Sequence, residues 1–142
     1  MSLYLDSAYV AKCYLNEPDA EAVRALVRNQ ELVSSALALA EMACIFQRHV
    51  REGGLTRRQA ARLRRLFLAD VEEGVWNLIP VSLALLEAVQ RGVWRLPRST
   101  YLRAGDAVHL ASASGAGFRE IWTSDRHLLA AAKRFGLAGR SV

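Results

Sequence analysis

The chain has 142 residues, 52% hydrophobic and 23% charged, with 19 Lys and Arg against 14 Asp and Glu for a net charge of +5. That length suits one domain, expected to span residues 1–142, and the apolar content excludes a disordered chain. No stretch reaches the ~18 consecutive apolar residues of a membrane span, and no basic-then-apolar leader precedes the first strand pattern, so a cytoplasmic protein with no membrane contact is expected.

The positive charge is almost all Arg, with Lys only at Lys12 and Lys133. Arg suits bidentate phosphate contacts and hence a polyanionic partner such as nucleic acid; codon bias gives the same composition.

Leu3-Tyr4-Leu5 is a short apolar run that stops at Asp6, and it reads as a strand buried on both faces. Ala8 to Leu15 reads as a short helix, broken at Asn16-Glu17-Pro18. Pro18 then opens a second helix to about Asn29, because Pro suits a first helical position. Glu31 to Ser34 reads as a brief strand, and Ser34 or Ser35 can cap the helix after it. That helix runs from about Leu37 to Glu52 and ends at Gly53-Gly54. Leu37, Ala40, Ala43, Cys44 and Gln47 keep the helical period there.

Thr56 caps a helix to about Glu73 that carries Arg57, Arg58, Arg62, Arg64 and Arg65. Such a run is ordinarily a solvated face; its functional reading is contact with phosphate or an acidic partner. Val75 to Ile79 reads as a strand, and Ser82 caps a helix through Val93 or Trp94. After a loop at Pro97 to Tyr101, Gly105-Asp106 opens an apolar helix, Ala107 to about Ser114. Glu120 to Thr123 reads as a strand, and Ser124-Asp125 starts a last long helix to Phe135. Val142 closes a small final strand. Strands alternating with helices imply an α/β fold, a parallel sheet with helices on both faces. Trp76, Trp94 and Trp122 are expected in the core, and Cys13 and Cys44, which lack CxxC spacing, as buried reduced thiols.

Four acids occupy one kind of place. Asp6 ends the first strand, Glu41 lies early in the helix after the second, Asp106 opens a helix, and Asp125 follows the last clear strand. In a parallel sheet these places share the edge at the carboxyl ends of the strands, where ligands bind. Each acid also has a purely structural use. Asp125 can cap its helix, and Asp106 and Glu41 can complement helix dipoles. Asp6 has no such use if a strand simply ends there. Four ionised carboxylates in contact repel by about 4 kcal/mol per close pair at an effective dielectric of 20. Either they do not converge, or a cation joins them.

An all-oxygen set suits Mg²⁺ or Mn²⁺ rather than zinc, and such an ion suits hydrolysis of a phosphodiester. Asp6, Asp106 and Asp125 are the candidate metal ligands; Glu41 either joins them or orients the attacking water. Ser7 and Thr123 have hydroxyls placed to hold a water or a phosphate oxygen. His109, one turn after Asp106, is either a packed histidine or a partner to the acids, and His127 is expected at the surface.

With these residues in view, the sequence resembles the PIN-domain ribonucleases, and among them the VapC-type toxins of type II toxin–antitoxin pairs. The opening Leu3-Tyr4-Leu5-Asp6-Ser7-Ala8 resembles the family's first motif. Ala40-Glu41 resembles its helix acid, and Gly105-Asp106-Ala107-Val108-His109-Leu110-Ala111 its third acidic motif. Trp122-Thr123-Ser124-Asp125-Arg126-His127 resembles the last motif. The resemblance implies a three-layer α/β/α domain with a central parallel sheet of four or five strands. It implies an Mg²⁺- or Mn²⁺-dependent endoribonuclease with Asp6, Glu41, Asp106 and Asp125 as catalytic residues, RNA as substrate, an antitoxin across the groove, and a homodimer. Arg57, Arg58 and Arg62 then become candidates for contact with RNA or the antitoxin. His127 stands where some members carry a further acid, which weakens the case for a full second metal site.

The competing reading is a catalytically silent PIN-like module that holds RNA or protein on its Arg-rich face. Other phosphate-handling folds lack their signatures. There is no GxGxxG after the first strand, no GxxxxGK[ST], no second Asp two residues after Asp6, and no GxSxG elbow.

Overall fold

In the computed structural model, which describes residues 1–142, strand β1 (Ser2–Tyr4) sends successive side chains into two different cores. Leu3 and Leu5 pack on one side with Tyr9, Val10, Met42, Phe46 and Phe67. Tyr4 packs on the other with Leu110, Ile121, Leu128 and Leu137. Strand β2 (Glu31–Ser35) repeats the division, Leu32 to the first side and Val33 to the second. Side chains on a strand alternate between faces, so a strand apolar at every position needs cover on both.

That cover makes three layers. On the first face lie α1 (Ser7–Lys12), α2 (Ala20–Val27), α3 (Ala38–Arg51) and α4 (Arg57–Glu72). On the second lie α6 (Ala104–Gly115) and α7 (Arg126–Ala131), with α5 (Leu83–Trp94) packed outside α6. Strands β3 (Trp76–Ile79), β4 (Glu120–Trp122) and β5 (Ala138–Arg140) complete the middle layer. No helix is long and apolar enough to cross a membrane.

All five strands pair in parallel, but not in one continuous ladder. β1, β2 and β3 form one sheet and β4 and β5 another. A single bridge, Leu5 to Trp122, joins them, with the Asp6 amide donating to the Trp122 carbonyl at 3.2 Å. The strand order is therefore β3-β2-β1-β4-β5 across that bridge. The chain winds outward from β1 to β3, then restarts at β4 on the other side of β1. A reversal of this kind opens a crevice at the carboxyl ends of the two inner strands. β1 runs out at Asp6 and β4 at Thr123, so the two residues flank the crevice.

Several local expectations are corrected. Pro18 lies two residues outside α2, which starts at Ala20 behind a left-handed Asp19 (φ 65°). The buried stripe of α3 is Ala38, Met42 and Phe46, whereas Ala40, Ala43, Cys44 and Gln47 are exposed. Cys44 is accordingly an exposed thiol and Cys13 a half-buried one. Of the three tryptophans only Trp76 is buried, its indole N–H donating to the Tyr14 hydroxyl at 2.8 Å; Trp94 is 83% exposed. The last helix tightens into a 3₁₀ turn over Ala132–Phe135. The final strand ends at Arg140, and the Val142 amide donates to the Tyr9 hydroxyl at 2.8 Å.

Candidate active site

Asp6 is almost fully buried and has two jobs. Helix α1 begins at Ser7, so Asp6 is its N-cap, and Oδ1 accepts from the Tyr9 amide at 3.1 Å. The capping use that the sequence pattern denies to this acid is present, because the helix starts one residue earlier than expected. Oδ2 accepts from the Thr123 hydroxyl at 2.5 Å, across the gap between β1 and β4. Burial pushes the Asp6 carboxyl up to about 6, against the opposing pull of His109, Thr123 and the Tyr9 amide; Asp125 adds to the rise.

Thr123 is itself wholly buried, and its Oγ1 accepts from the Asp125 amide at 2.9 Å. One hydroxyl thus places both acids. Asp125 caps α7, with Oδ1 accepting from the amides of His127 at 2.7 Å and Leu128 at 3.2 Å. Its Oδ2 faces the groove and Arg103. The choice between cap and site residue dissolves here, since the two oxygens divide the tasks.

Glu41 and His109 form the second half of the site. Glu41 Oε1 accepts from the Ser7 hydroxyl at 2.8 Å and lies 2.6 Å from His109 Nε2. His109 Nδ1 lies 3.0 Å from the Tyr4 hydroxyl, whose ionisation burial pushes far up. Nε2–H donates to Glu41 in either charge state; Nδ1 accepts from the Tyr4 hydroxyl in the neutral ring and donates to it in the imidazolium, so both ring nitrogens are satisfied. Burial alone raises the Glu41 carboxyl, but the His109 hydrogen bond and charge, with Ser7 and Arg103, outweigh it, and the net shift is downward. Gly105 leaves room for this acid. A Cβ there would stand 3.2 Å from Glu41 Oε2 and press on it.

These side chains line one groove of about 610 Å³. Asp6, Ser7, Glu41, Asp106, His109 and Asp125 contribute to its wall, and Lys12, Arg48 and Arg103 add positive charge. Residues from the end of β1 and from α1, α3, α6 and the start of α7 thus meet at the crevice. Thr123 sits behind Asp6. Arg57, Arg58 and Arg62 do not reach this groove; all three are exposed on α4, and Arg57 lines an apolar groove between α3 and α4 instead. His127 is half-buried, with its ring edge-on to Tyr101 at 4.8 Å between centroids.

Residues 3–134 match the PIN domain family. The chain is a PIN domain protein. A curated relative, Ribonuclease VapC46 of Mycobacterium tuberculosis (strain ATCC 25618 / H37Rv), is 32% identical over 142 residues, covering 96% of this chain and 95% of the relative. Among solved structures, Mycobacterium tuberculosis VapC20, described as a Sarcin-Ricin loop cleaving toxin, superposes with a TM-score of 0.69 at 17% identity, over 91% of this chain and 94% of that one. VapBC2 from Rickettsia felis, solved bound to a DNA fragment from its promoter, gives 0.67 at 13% identity, over 99% and 98%. At such identities the structural likeness speaks to the fold.

In this PIN domain the donor chemistry fits a hard divalent ion, since every candidate ligand is a carboxylate oxygen. As the side chains stand, however, no group of three or more acid, His or Cys residues is gathered to hold one. The reason is visible in their partners. Both Asp6 oxygens and Oδ1 of Asp125 accept protein hydrogen bonds. Oδ2 of Asp106 and Oδ2 of Asp125 face the Arg103 guanidinium at 3.4 and 3.6 Å. The charge conflict of four clustered acids is thus relieved in part by an arginine of the same chain. Arg103 and Tyr4 are site residues that the sequence pattern alone does not single out. Arg103 precedes Asp106 by three positions, a spacing that brings side chains together at a helix start.

Proposed function

We propose that this PIN domain is a divalent-metal-dependent endoribonuclease that hydrolyses RNA phosphodiester bonds, and that it is the toxin of a toxin–antitoxin pair. The observation that carries the reading is the meeting of Asp6, Glu41, Asp106 and Asp125 in one groove at the β1–β4 crevice, from four separate stretches of sequence. The kinship with Ribonuclease VapC46 over nearly the full length of both chains supports the reaction class.

Asp6, Asp106 and Asp125 would hold Mg²⁺ or Mn²⁺. A bound divalent ion would supply Lewis acidity toward a water and toward a phosphate oxygen. The protein's own contribution is placement. Thr123 fixes the spacing of Asp6 and Asp125 through its single hydroxyl. Glu41, held by Ser7 and His109 and with its carboxyl kept ionised, faces the groove as the group that orients an attacking water and receives its proton. Lys12 and Arg48 line the same groove and favour the polyanionic substrate.

A cognate antitoxin belongs to the same reading, as do action on RNA in the cytoplasm and a homodimer. VapBC2 is a solved complex of related fold. Arg57, Arg58 and Arg62 are the candidate contacts for the antitoxin or RNA, being exposed together on α4. For a second copy of the chain the candidate surface is the exposed apolar stripe of α5.

The test is cleavage of total cellular RNA by the purified chain with Mg²⁺, with Mn²⁺ and with EDTA, beside Asp6→Asn. Cleavage that needs the metal and disappears in the folded variant supports the enzyme. Cleavage that survives both EDTA and the substitution refutes it. RNA binding with no cleavage in any lane, lost on neutralising Arg57, Arg58 and Arg62, replaces it with the silent binding module.

A further inference from the structure

Arg103 occupies a specific place among the acids. It is the residue just before α6, in extended conformation (φ −87°, ψ 160°), and its side chain does not cap the helix. The side chain instead reaches across to two carboxylates. Nε lies 3.4 Å from Asp106 Oδ2, and Nη2 lies 3.6 Å from Asp125 Oδ2. No other Arg or Lys nitrogen comes within 4.0 Å of Asp6, Glu41, Asp106 or Asp125. Lys12, the other cation with a fixed place in the groove, is spent on the Pro18 carbonyl at 2.7 Å.

Two features make this contact exchangeable. The Arg103 side chain is 63% exposed, and both separations sit at the long end for an ion pair. Exposed pairs of that kind contribute little to stability and are readily given up. The carboxylates it faces are also those a divalent ion would need. Oδ1 of Asp125 is already committed to the α7 cap, so Oδ2 is that acid's outward ligand. A guanidinium between the two Oδ2 atoms sets its positive charge against a divalent ion drawn to the same carboxylates.

We propose that Arg103 is an internal cation that competes with the divalent ion for Asp106 and Asp125. It keeps the two carboxylates together and charge-balanced, and the incoming ion displaces it into the groove. This rests on the metal site of the proposed nuclease. It goes further by assigning a cationic side chain of the chain itself to that site and by predicting that its removal strengthens ion binding.

The experiment measures Mn²⁺ binding to the full-length chain by EPR of the free ion, for wild type, Arg103→Met, Arg103→Lys and Arg48→Met. Loss of one loosely held competing charge predicts Mn²⁺ binding about three- to tenfold tighter in R103M. R103K is expected near wild type, because it keeps the charge. R48M removes a groove charge that touches none of the acids, and a change under about twofold is expected. Melting temperature supplies a second readout. In EDTA R103M melts below wild type, because Asp106 and Asp125 then repel unscreened. In saturating Mn²⁺ the deficit closes.

An Mn²⁺ affinity in R103M equal to or weaker than wild type overturns the inference, as does an equal melting deficit with and without Mn²⁺. So does a gain in R48M as large as that in R103M, which would reduce the effect to the general field of the groove. Wild type that binds Mn²⁺ and cleaves RNA while R103M is unchanged sinks this inference alone. Wild type that takes up no Mn²⁺ and cleaves nothing sinks the nuclease reading and this inference with it.

Discussion

The hydroxyl of Thr123 donates to Oδ2 of Asp6 at 2.5 Å, tying the carboxyl end of β4 to the carboxyl end of β1. The same oxygen accepts from the Asp125 amide at 2.9 Å. A threonine with no surface exposure therefore sets the separation of two acids that stand 119 positions apart in sequence. It is also a tether between the two sheets, which otherwise share one bridge.

Thr123→Val keeps the shape and removes the hydroxyl. Asp6 then loses a donor and the Asp125 amide loses its acceptor, in a place water does not reach. A cost of about 1–3 kcal/mol in urea unfolding is expected. In the proposed nuclease Asp6 and Asp125 hold the ion; partners that orient metal ligands are typically worth about 10–100-fold in activity, and RNA cleavage should fall by that factor. Thr123→Ser retains the hydroxyl and should recover most of both. Full cleavage by T123V would mean that Asp6 and Asp125 hold their places without it.

The pairing of Glu41 with His109 makes a different prediction, in pH. The net downward shift of the Glu41 carboxyl means that it contributes stability fully present above its ordinary value near 4.5 and lost as pH falls through the lowered one. Glu41→Gln should therefore destabilise the fold at neutral pH, and its cost should shrink steadily below about pH 4.5. A double-mutant cycle of Glu41→Gln with His109→Gln should give a coupling of about 1–3 kcal/mol at pH 7. A coupling near zero would remove His109 as the group that holds Glu41.

Much of this arrangement is legible in the amino-acid order alone. Asp6, Glu41, Asp106 and Asp125 each stand beside a strand end or a helix start, and a parallel sheet gathers such places at one edge. The remainder is decided by facing and by small shifts of boundary. In the first half of α3 Leu37-Ala40-Cys44 and Ala38-Met42-Phe46 both keep the helical period, and packing into the first core selects the second. Tyr4 reads as a strand residue; that its hydroxyl meets His109 depends on the twofold alternation of β1 against the position of α6. A one-residue difference in the start of α1 turns Asp6 into a cap. Arg103 is a loop arginine until Asp125, from the far side of β4, arrives beside it.

The two cysteines differ in reactivity for a physical reason. Burial pushes the Cys13 thiol from 9.0 up to about 11, eased by Arg24 and reinforced by Asp70, whereas Cys44 is exposed on α3. The thiolate is the reactive form. In the folded chain at pH 8 a thiol reagent should label Cys44 alone, and both thiols once denaturant is added. Linkage gives the sign for stability. The unfolded chain loses the Cys13 proton at lower pH than the folded one, so Cys13 costs nothing below about 9 and destabilises progressively between about 9 and 11. Cys13→Ala should flatten that alkaline decline. Labelling of two thiols in native protein at pH 8 would contradict the burial of Cys13.

The apolar stripe of α5 makes the last prediction. Leu86, Val93 and Trp94 follow Leu83 by 3, 10 and 11 positions, which at 3.6 residues per turn brings all four onto one side of that helix, with Leu83 75% exposed and Trp94 83% exposed. Side chains at such spacings share a helix face. An exposed apolar face on a helix otherwise packed against α6 is a candidate interaction surface. A two-fold pairing of α5 with α5 of a second copy would bury the same stripe from both sides, as symmetric dimers do. Light scattering should then give twice the 15.7 kDa mass of one chain. The double variant Leu83→Asp, Trp94→Asp should run as a folded monomer, because neither side chain belongs to either core. Its far-ultraviolet circular dichroism should match wild type. A wild-type chain that is monomeric at tens of micromolar, or a double variant that stays dimeric, would move the dimer contact elsewhere and leave the stripe as the seat of another partner.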